Sequence, residues 1–366
     1  MVRAMNNDEQ MILSWMSDEE SRKLYSNRIK FQNTYDYRYI QDSIDKFVPL
    51  YRDKKWLYLP EELKDILSSY KRVIVSGIGQ KGKALIVLLR QNGFNNISAV
   101  DNNVSGMIHI SEGISIETQS PRSADYNDAC VLISLSSRSV AEQIKTQLIA
   151  CGCDEGKIYL LDDYVCPAEH DKDHEYFDEN IIHLGDNETF VDCGALDMET
   201  SMFFTERCLN AGVRGLTVYA FEPESNNYLR CIGNLDYFHR NSVNANVYKK
   251  GVWDEDKTLG FVSGLGDASK VSDTGTDETI EVVALDSVIE EQVTFIKMDI
   301  EGAELNALKG AKRLISTYRP KLAVCLYHKP EDIITIPKYV KSLVPDYKLY
   351  VRHYSNNTGE FVLYAV

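Results

Sequence analysis

The sequence predicts an α/β protein with two Rossmann-like, doubly wound domains behind a helical N-terminal segment. Three observations carry that prediction. Short apolar strands alternate with amphipathic helices in two successive stretches of the chain. A glycine-rich turn, Gly77-Ile78-Gly79-Gln80-Lys81-Gly82, follows the first strand, and three later strands end on acids at Asp192, Glu222 and Asp299. A length of 366 residues exceeds what one ordinary core fills, so two domains are the default expectation.

From residue 1 to about 70 the chain is polar with a helical rhythm, as in Leu63, Ile66, Leu67 and Tyr70 behind Pro60. Residues 71–165 read as the first α/β domain. Arg72 to Ser76 is a strand, the glycine turn follows, and Lys83 to Asn92 is a helix stopped at Gly93. A second strand, Ile97 to Val100, ends on Asp101, at the spacing of the dinucleotide fingerprint. Gly77, Gly79, Gly82 and Asp101 are therefore candidate nucleotide-binding residues, the ligand being a nucleotide, a nucleotide sugar or NAD; a scaffold without ligand has the same pattern. Val131 to Ser134 adds a strand, and Ser139 to Glu142 opens a helix with Val140, Ile144 and Leu148 inward.

The acidic stretch over 166–180 reads as a linker, and residues 181–366 as the second domain. Its expected strands are Thr189 to Cys193, Leu216 to Phe221, Val243 to Val252, Glu281 to Ala284, Thr294 to Met298, Leu322 to Tyr327, Tyr347 to Arg352 and Phe361 to Ala365, with a glycine-bearing loop at Gly264, Gly266 and Gly275. Leu305, Leu308, Ala311 and Ile315 share one face of a helix after the Asp299 strand.

Composition narrows the function. Forty Lys and Arg against 55 Asp and Glu give a net charge of −15, which disfavours nucleic-acid and anionic membrane partners. The longest wholly apolar run, Ala84 to Leu89, is far short of a membrane span, and polar sequence rather than a secretory signal follows Met1, so the expectation is a cytoplasmic protein. The eight irregularly spaced cysteines read as buried thiols, and neither Cys151, Cys153 and Cys166 nor His170 and His174 have the ligand pattern of a metal site. Nothing in the sequence sets an oligomeric state.

In an open parallel sheet the ligand sits beyond the carboxyl ends of the strands. Each acid there is, by itself, as consistent with a helix cap or turn as with a ligand contact. Three carboxylates on one edge repel one another, and a cationic ligand offsets that. S-adenosylmethionine carries a sulfonium and an ammonium: Glu222 would take its ribose diol, Gly194 would allow close backbone approach, and Asp192 or Asp299 would lie near its amino end.

The segment Phe295-Ile296-Lys297-Met298-Asp299-Ile300-Glu301-Gly302-Ala303-Glu304-Leu305, continuing through Leu308-Lys309-Gly310-Ala311, resembles the signature of the FkbM family of methyltransferases. Val191-Asp192-Cys193-Gly194-Ala195 and Ala220-Phe221-Glu222-Pro223-Glu224-Ser225 precede it in that family's order, and the likeness extends over roughly residues 180 to 366. The resemblance implies a class I methyltransferase fold, whose seven-stranded sheet ends in an antiparallel hairpin, and O-methylation of a sugar, glycan or related polyol in polysaccharide or natural-product biosynthesis. By position it makes Asp192, Gly194, Ala195, Asp197, Thr200, Glu222, Pro223 and Asp299 the S-adenosylmethionine-binding residues. The chain departs from the family at Leu196-Asp197-Met198-Glu199-Thr200, where another glycine is usual and a bulky loop would crowd the methionine moiety.

Methyl transfer to a hydroxyl needs in-line placement of the oxygen and removal of its proton. His328 at a strand end is the expected catalytic base, with Asp299 and His353 behind it. His328 lies in a YHKPED-like segment that recurs in similar sequences. Lys297, Tyr327 and Tyr354 are candidates for positioning a small-molecule or glycan acceptor. The acids leave room for a divalent metal without requiring one. Two other readings compete: a catalytically weakened nucleotide- or nucleotide-sugar-binding protein that uses the methyltransferase fold as scaffold, with Met198 in its support, and an NAD-dependent sugar oxidoreductase.

Overall fold

A computed structural model describes residues 3–45, 59–134, 138–165, 169–262, 270–271 and 279–366. Its contacts divide the chain into two compact units: Met1–Asn6, Leu24–His170 and Ser355–Asn357 in one, Asn7–Lys23, Asp171–Tyr354 and Thr358–Val366 in the other. The loop glycines 264, 266 and 275, and Cys166, lie outside the described residues.

The first unit is built on β1 (Arg72–Ser76), β2 (Ile97–Val100), β3 (Gly106–Ser111), β4 (Ile114–Gln119), β5 (Ala129–Ile133) and β6 (Ile158–Leu160), in the order β3-β4-β2-β1-β5-β6. All pair in parallel except β3, which is antiparallel to β4. The β3–β4 hairpin was not expected, because Met107 and His109 stand exposed on β3 and blur its apolar signal. Every residue of β5 is buried, as a central parallel strand requires. Most of α2 (Glu19–Thr34), with α3 (Gln41–Asp45), α4 (Glu61–Ser68), α5 (Gln80–Gln91) and α6 (Arg138–Ala150), belongs to this unit, and Phe31, Tyr37, Ile40, Ile44 and Ala84 form a satellite core.

The second unit holds α1 (Asn7–Trp15), a departure from one continuous N-terminal segment. Ile12 and Met16 are buried there, Ser17 N–H donates to Leu349 O at 2.8 Å, and Arg352 meets Asp18 at 2.7 Å. Its main sheet contains β7 (Asn187–Cys193), β8 (Gly215–Phe221), β9 (Asn244–Tyr248), β14 (Phe295–Met298), β15 (Lys321–Cys325), β16 (Leu349–His353) and β17 (Phe361–Ala365), ordered β16-β17-β15-β14-β7-β8-β9. The first five named are parallel, and β17 runs antiparallel to both β15 and β16, so the expected terminal hairpin is present. Phe177, Phe190, Phe204 and Phe295 cluster in its core, mostly edge-to-face or tilted, with Phe190 and Phe204 stacked at 4.4 Å between centroids.

Two expected elements are broken. The strand foreseen over Val243 to Val252 splits into β9 and β10 (Gly251–Val252), and β10 joins a small sheet with β11 (Lys257–Val262), β12 (Lys270–Val271) and β13 (Thr279–Val283). The helix after Asp299 divides into α10 (Glu304–Gly310) and α11 (Lys312–Tyr318). Gly310, the last residue of α10, lies against the Trp253 carbonyl, where an added Cβ would come within 1.9 Å, so this position requires glycine. The remaining helices of the unit are α7 (Glu199–Asn210), α8 (Ser225–Arg240), α9 (Leu285–Val288) and α12 (Asp332–Leu343). Among the described residues no helix is long and apolar enough to cross a membrane, and the seven described cysteines are unbridged.

Candidate active site

Parallel pairing of β7, β8 and β14 brings Asp192, Glu222 and Asp299 to one edge of the second unit's sheet. There they take different environments.

Asp192 is fully buried. Its carboxylate faces Lys297 Nζ at 3.0 Å and accepts from Ser201 Oγ at 2.7 Å. Burial works against the Lys297 ammonium, but Asp192 and Asp299 outweigh it and raise its pKa. Lys297 also donates to Gly194 O at 2.8 Å and lies over the Tyr176 ring. Lys297, expected to position a sugar, is thus committed inside the protein to the turn after β7. Asp192 is likewise closed to a ligand ammonium, since both its oxygens already face protein donors.

That turn is dictated by Gly194. Its φ is +81°, and a Cβ there would sit 1.9 Å from the Asp299 carbonyl oxygen. Ala195 is buried, and Leu196 and Met198 also adopt left-handed backbone. The bulky loop does not fill the site with Met198, because that side chain is fully buried in the core beside Phe204 while its N–H returns to Ala195 O at 2.6 Å. Asp197 Oδ1 accepts from Glu199 N–H at 3.1 Å, and half-buried Thr200 lies in the first turn of α7.

Glu222 ends β8 next to this turn. One oxygen accepts the Leu196 amide and the other the Glu224 amide, both at 2.9 Å, and half-buried Pro223 directs the chain into α8. Each carboxylate oxygen keeps a lone pair, so the pair suits a vicinal diol. Burial raises the Glu222 pKa against the lowering effect of those amides.

Asp299 is the open member, its side chain 24% exposed. It accepts from Tyr176 OH at 2.7 Å and Tyr327 OH at 3.4 Å, and His328 Nε2 is 3.4 Å away. Burial opposes its ionisation, yet His328 and Lys297 hold its carboxyl below the usual carboxylate range. Beyond it Glu301 and Gly302 both have positive φ, which turns the chain so that Glu304 Oε1 caps Ile300 N–H at 2.9 Å.

His328 does not have the state expected of a base. Its Nδ1 bonds Glu304 Oε1 at 2.8 Å, and its Nε2 faces Asp299 and Glu301 at 3.4 and 3.6 Å. Burial disfavours the imidazolium, but these carboxylates push its pKa up to about 11, so at neutral pH it is charged and has no lone pair to offer. Tyr354 is buried and accepts from Tyr364 OH at 2.8 Å within the hairpin, and His353 is buried beside it. Tyr327 alone of the proposed acceptor contacts touches the Asp299 carboxylate.

Sequence reasoning missed Tyr176, which it assigned to the linker. The signal was available: Tyr176-Phe177 and Ile181-Ile182 are apolar pairs inside a charged stretch, and all four are buried. Glu301 and Glu304 were read only as motif letters.

Residues 192–352 match the family model described as methyltransferase FkbM domain. The chain carries an FkbM methyltransferase domain. The matched domain is one of methyltransferases. Similar solved structures include a methyltransferase FkbM from Methylobacillus flagellatus KT (19% identical, TM-score 0.49, covering 91% of this chain and 100% of that one). An rRNA methylase from Streptococcus thermophilus is 15% identical (TM-score 0.33, 50% and 87% covered), and SMU.1697c from Streptococcus mutans, in complex with SAH, is 12% identical (TM-score 0.32, 52% and 94%). No curated protein matches. A glycine turn packed against the Asp299 carbonyl, the Glu222 carboxylate and an ionised Asp299 thus border one strand edge, and carboxylates there suit a cationic, diol-bearing donor.

In the first unit, Gly82 packs on Gly77 O so closely that a Cβ would come within 1.9 Å, and Gly77 has φ +90°. Exposed Gly79 caps the start of α5. Asp101 accepts the amides of Ile78, Asn103 and Val104 at 2.9, 2.8 and 3.2 Å. These interactions give the glycine turn and Asp101 a structural role in holding β1, β2 and α5 together.

Proposed function

We propose that this protein is an O-methyltransferase that moves a methyl group from S-adenosylmethionine to a hydroxyl of a sugar, glycan or related polyol in the cytoplasm. The observation that carries the reading is Asp299: ionised, partly open, held by two tyrosine hydroxyls, and adjacent to the glycine turn. Such a carboxylate accepts a hydrogen bond from an alcohol and fixes its oxygen for in-line attack.

When bound, the donor supplies an activated methyl on a sulfonium. Glu222 and the turn at Gly194 to Leu196 would orient its ribose and methionyl parts, with Asp299 rather than Asp192 near the ammonium or the acceptor. Tyr176 and Tyr327 hold the Asp299 carboxylate in place. His328, as an imidazolium, keeps Asp299 ionised instead of taking the acceptor proton. Burial of Met198 removes the particular support for a closed, scaffold-only site.

Calorimetric titration with S-adenosylhomocysteine, comparing the natural protein with Glu222→Ala, tests the donor site. Binding that the substitution weakens at least tenfold supports it, and no binding to the natural protein refutes it. Release of S-adenosylhomocysteine with polyols but not with amine analogues then tests the choice of oxygen.

A further inference from the structure

We propose that Glu301 is the base of the methyl-transfer site and takes the proton of the acceptor hydroxyl that Asp299 positions. The inference deepens the O-methyltransferase reading and rests on it.

The first support is placement. Asp299 Oδ1 and Glu301 Oε1 lie 3.4 and 3.6 Å from one atom, His328 Nε2, so the two carboxylates border the same spot. Both are partly open, with side chains 24% and 30% exposed, whereas His328 and Glu304 are buried behind them. The turn after β7 is adjacent: a Cβ on Gly194 would meet the Asp299 carbonyl oxygen at 1.9 Å and the Ile300 side chain at 3.1 Å, and Glu301 is the next residue. Glu301 keeps a side chain at φ +55°, where glycine is favoured, and backbone strain of this kind concentrates at functional sites.

The second support is the availability of lone pairs. Asp299 already accepts from the Tyr176 and Tyr327 hydroxyls, Glu222 from two backbone amides, and Glu304 from the Ile300 amide and the His328 ring. Among the described residues no N–H or O–H group hydrogen-bonds the Glu301 carboxylate, since His328 Nε2 at 3.6 Å stands beyond hydrogen-bonding distance. The ring cannot serve as the base itself, being an imidazolium already.

Charge state agrees with the placement. Burial raises the Glu301 pKa, and the Asp299 and Glu304 carboxylates add to that, against the lowering effect of the His328 imidazolium. Asp299 is held below the usual carboxylate range. A hydroxyl hydrogen lying between the two carboxylates therefore goes to Glu301, the more basic of them. As the proton leaves, the hydroxyl oxygen forms the C–O bond while the C–S bond of the donor breaks, yielding a methyl ether and the neutral thioether. Glu301 then gives the proton to water on its open side.

The test measures S-adenosylhomocysteine release by the full chain, with the methyl glycosides of glucose, galactose, mannose and rhamnose as acceptor probes. Glu301→Gln should keep S-adenosylhomocysteine affinity within about threefold and lose about 10²–10⁴-fold in kcat. In the natural protein kcat/KM should rise with pH along a limb whose midpoint lies above the ordinary glutamate value of about 4.3. Glu301→Asp should retain that limb at lower kcat, and Glu301→Gln should lose it. Thermal melts establish that each variant is folded, and Glu301→Gly, which the backbone angle favours, serves if Glu301→Gln does not fold. Turnover that folded Glu301→Gln keeps within about fivefold, or a pH limb that persists unchanged in it, overturns the base assignment and leaves the O-methyltransferase reading standing. If the natural protein binds S-adenosylhomocysteine but methylates none of the probes, that reading fails and the base assignment falls with it.

Discussion

Lys297→Met should be among the most destabilising single substitutions in the methyltransferase unit. Both partners of the Lys297–Asp192 pair are essentially inaccessible to water, and their charged atoms are 3.0 Å apart. Removing the ammonium leaves Asp192 with Ser201 Oγ as its side-chain donor and strips the Gly194 carbonyl of a 2.8 Å hydrogen bond. Breaking a buried pair from one side costs about 3–5 kcal/mol, because the remaining charge is uncompensated. With a urea slope of roughly 2–3 kcal/mol/M, the midpoint should fall by roughly 1–2.5 M. Trp15 and Trp253 belong to the same unit as the pair, so their fluorescence, in a Trp56→Phe background, reports its unfolding. The double variant Asp192→Leu with Lys297→Met removes both charges and should recover most of the loss. A single-variant cost under about 1 kcal/mol, or a double variant no more stable than Lys297→Met, would refute the idea that this pair anchors the glycine turn.

Gly194→Ala places a Cβ against the Asp299 carbonyl at 1.9 Å with φ at +81°, so it should lose at least about 2 kcal/mol of stability and bind S-adenosylhomocysteine at least tenfold more weakly. An unchanged melt and titration would contradict the close approach of β7 and β14. The His328 pKa is raised to about 11 from an ordinary value near 6.5. A raised histidine contributes stability that is fully present below pH about 6.5 and is lost as pH climbs towards 11. The stability difference between natural protein and His328→Gln should therefore shrink from about pH 7 to about pH 10, and ring-nitrogen NMR shifts should show an imidazolium at pH 8. A ring titrating near 6.5 would remove the carboxylate cage from consideration.

Much of the methyltransferase unit was legible in the sequence because its signals are local. A central parallel strand such as Phe295–Met298 must be apolar on both faces, and the acids and glycine that follow it mark a strand end wherever the strand pairs. The terminal hairpin was legible for the same reason. Of the small sheet, β13 was legible as the strand at Glu281 to Ala284 and β10 only as the end of the Val243 strand, while β11 and β12 are too short to show a period.

By itself, then, the sequence determined which residues sit at strand ends and in what order, because hydrophobic periodicity and turn chemistry act over a few residues. Tertiary structure alone decided what each of those residues does there. Asp192 and Asp299 end adjacent strands, yet one is locked to Lys297 and the other stays open; His328 meets three carboxylates only because β14 and β15 lie side by side; and Tyr176 reaches Asp299 from 123 positions away. Charge state and access depend on neighbours across the fold, through burial and Coulomb fields that no local window of sequence contains.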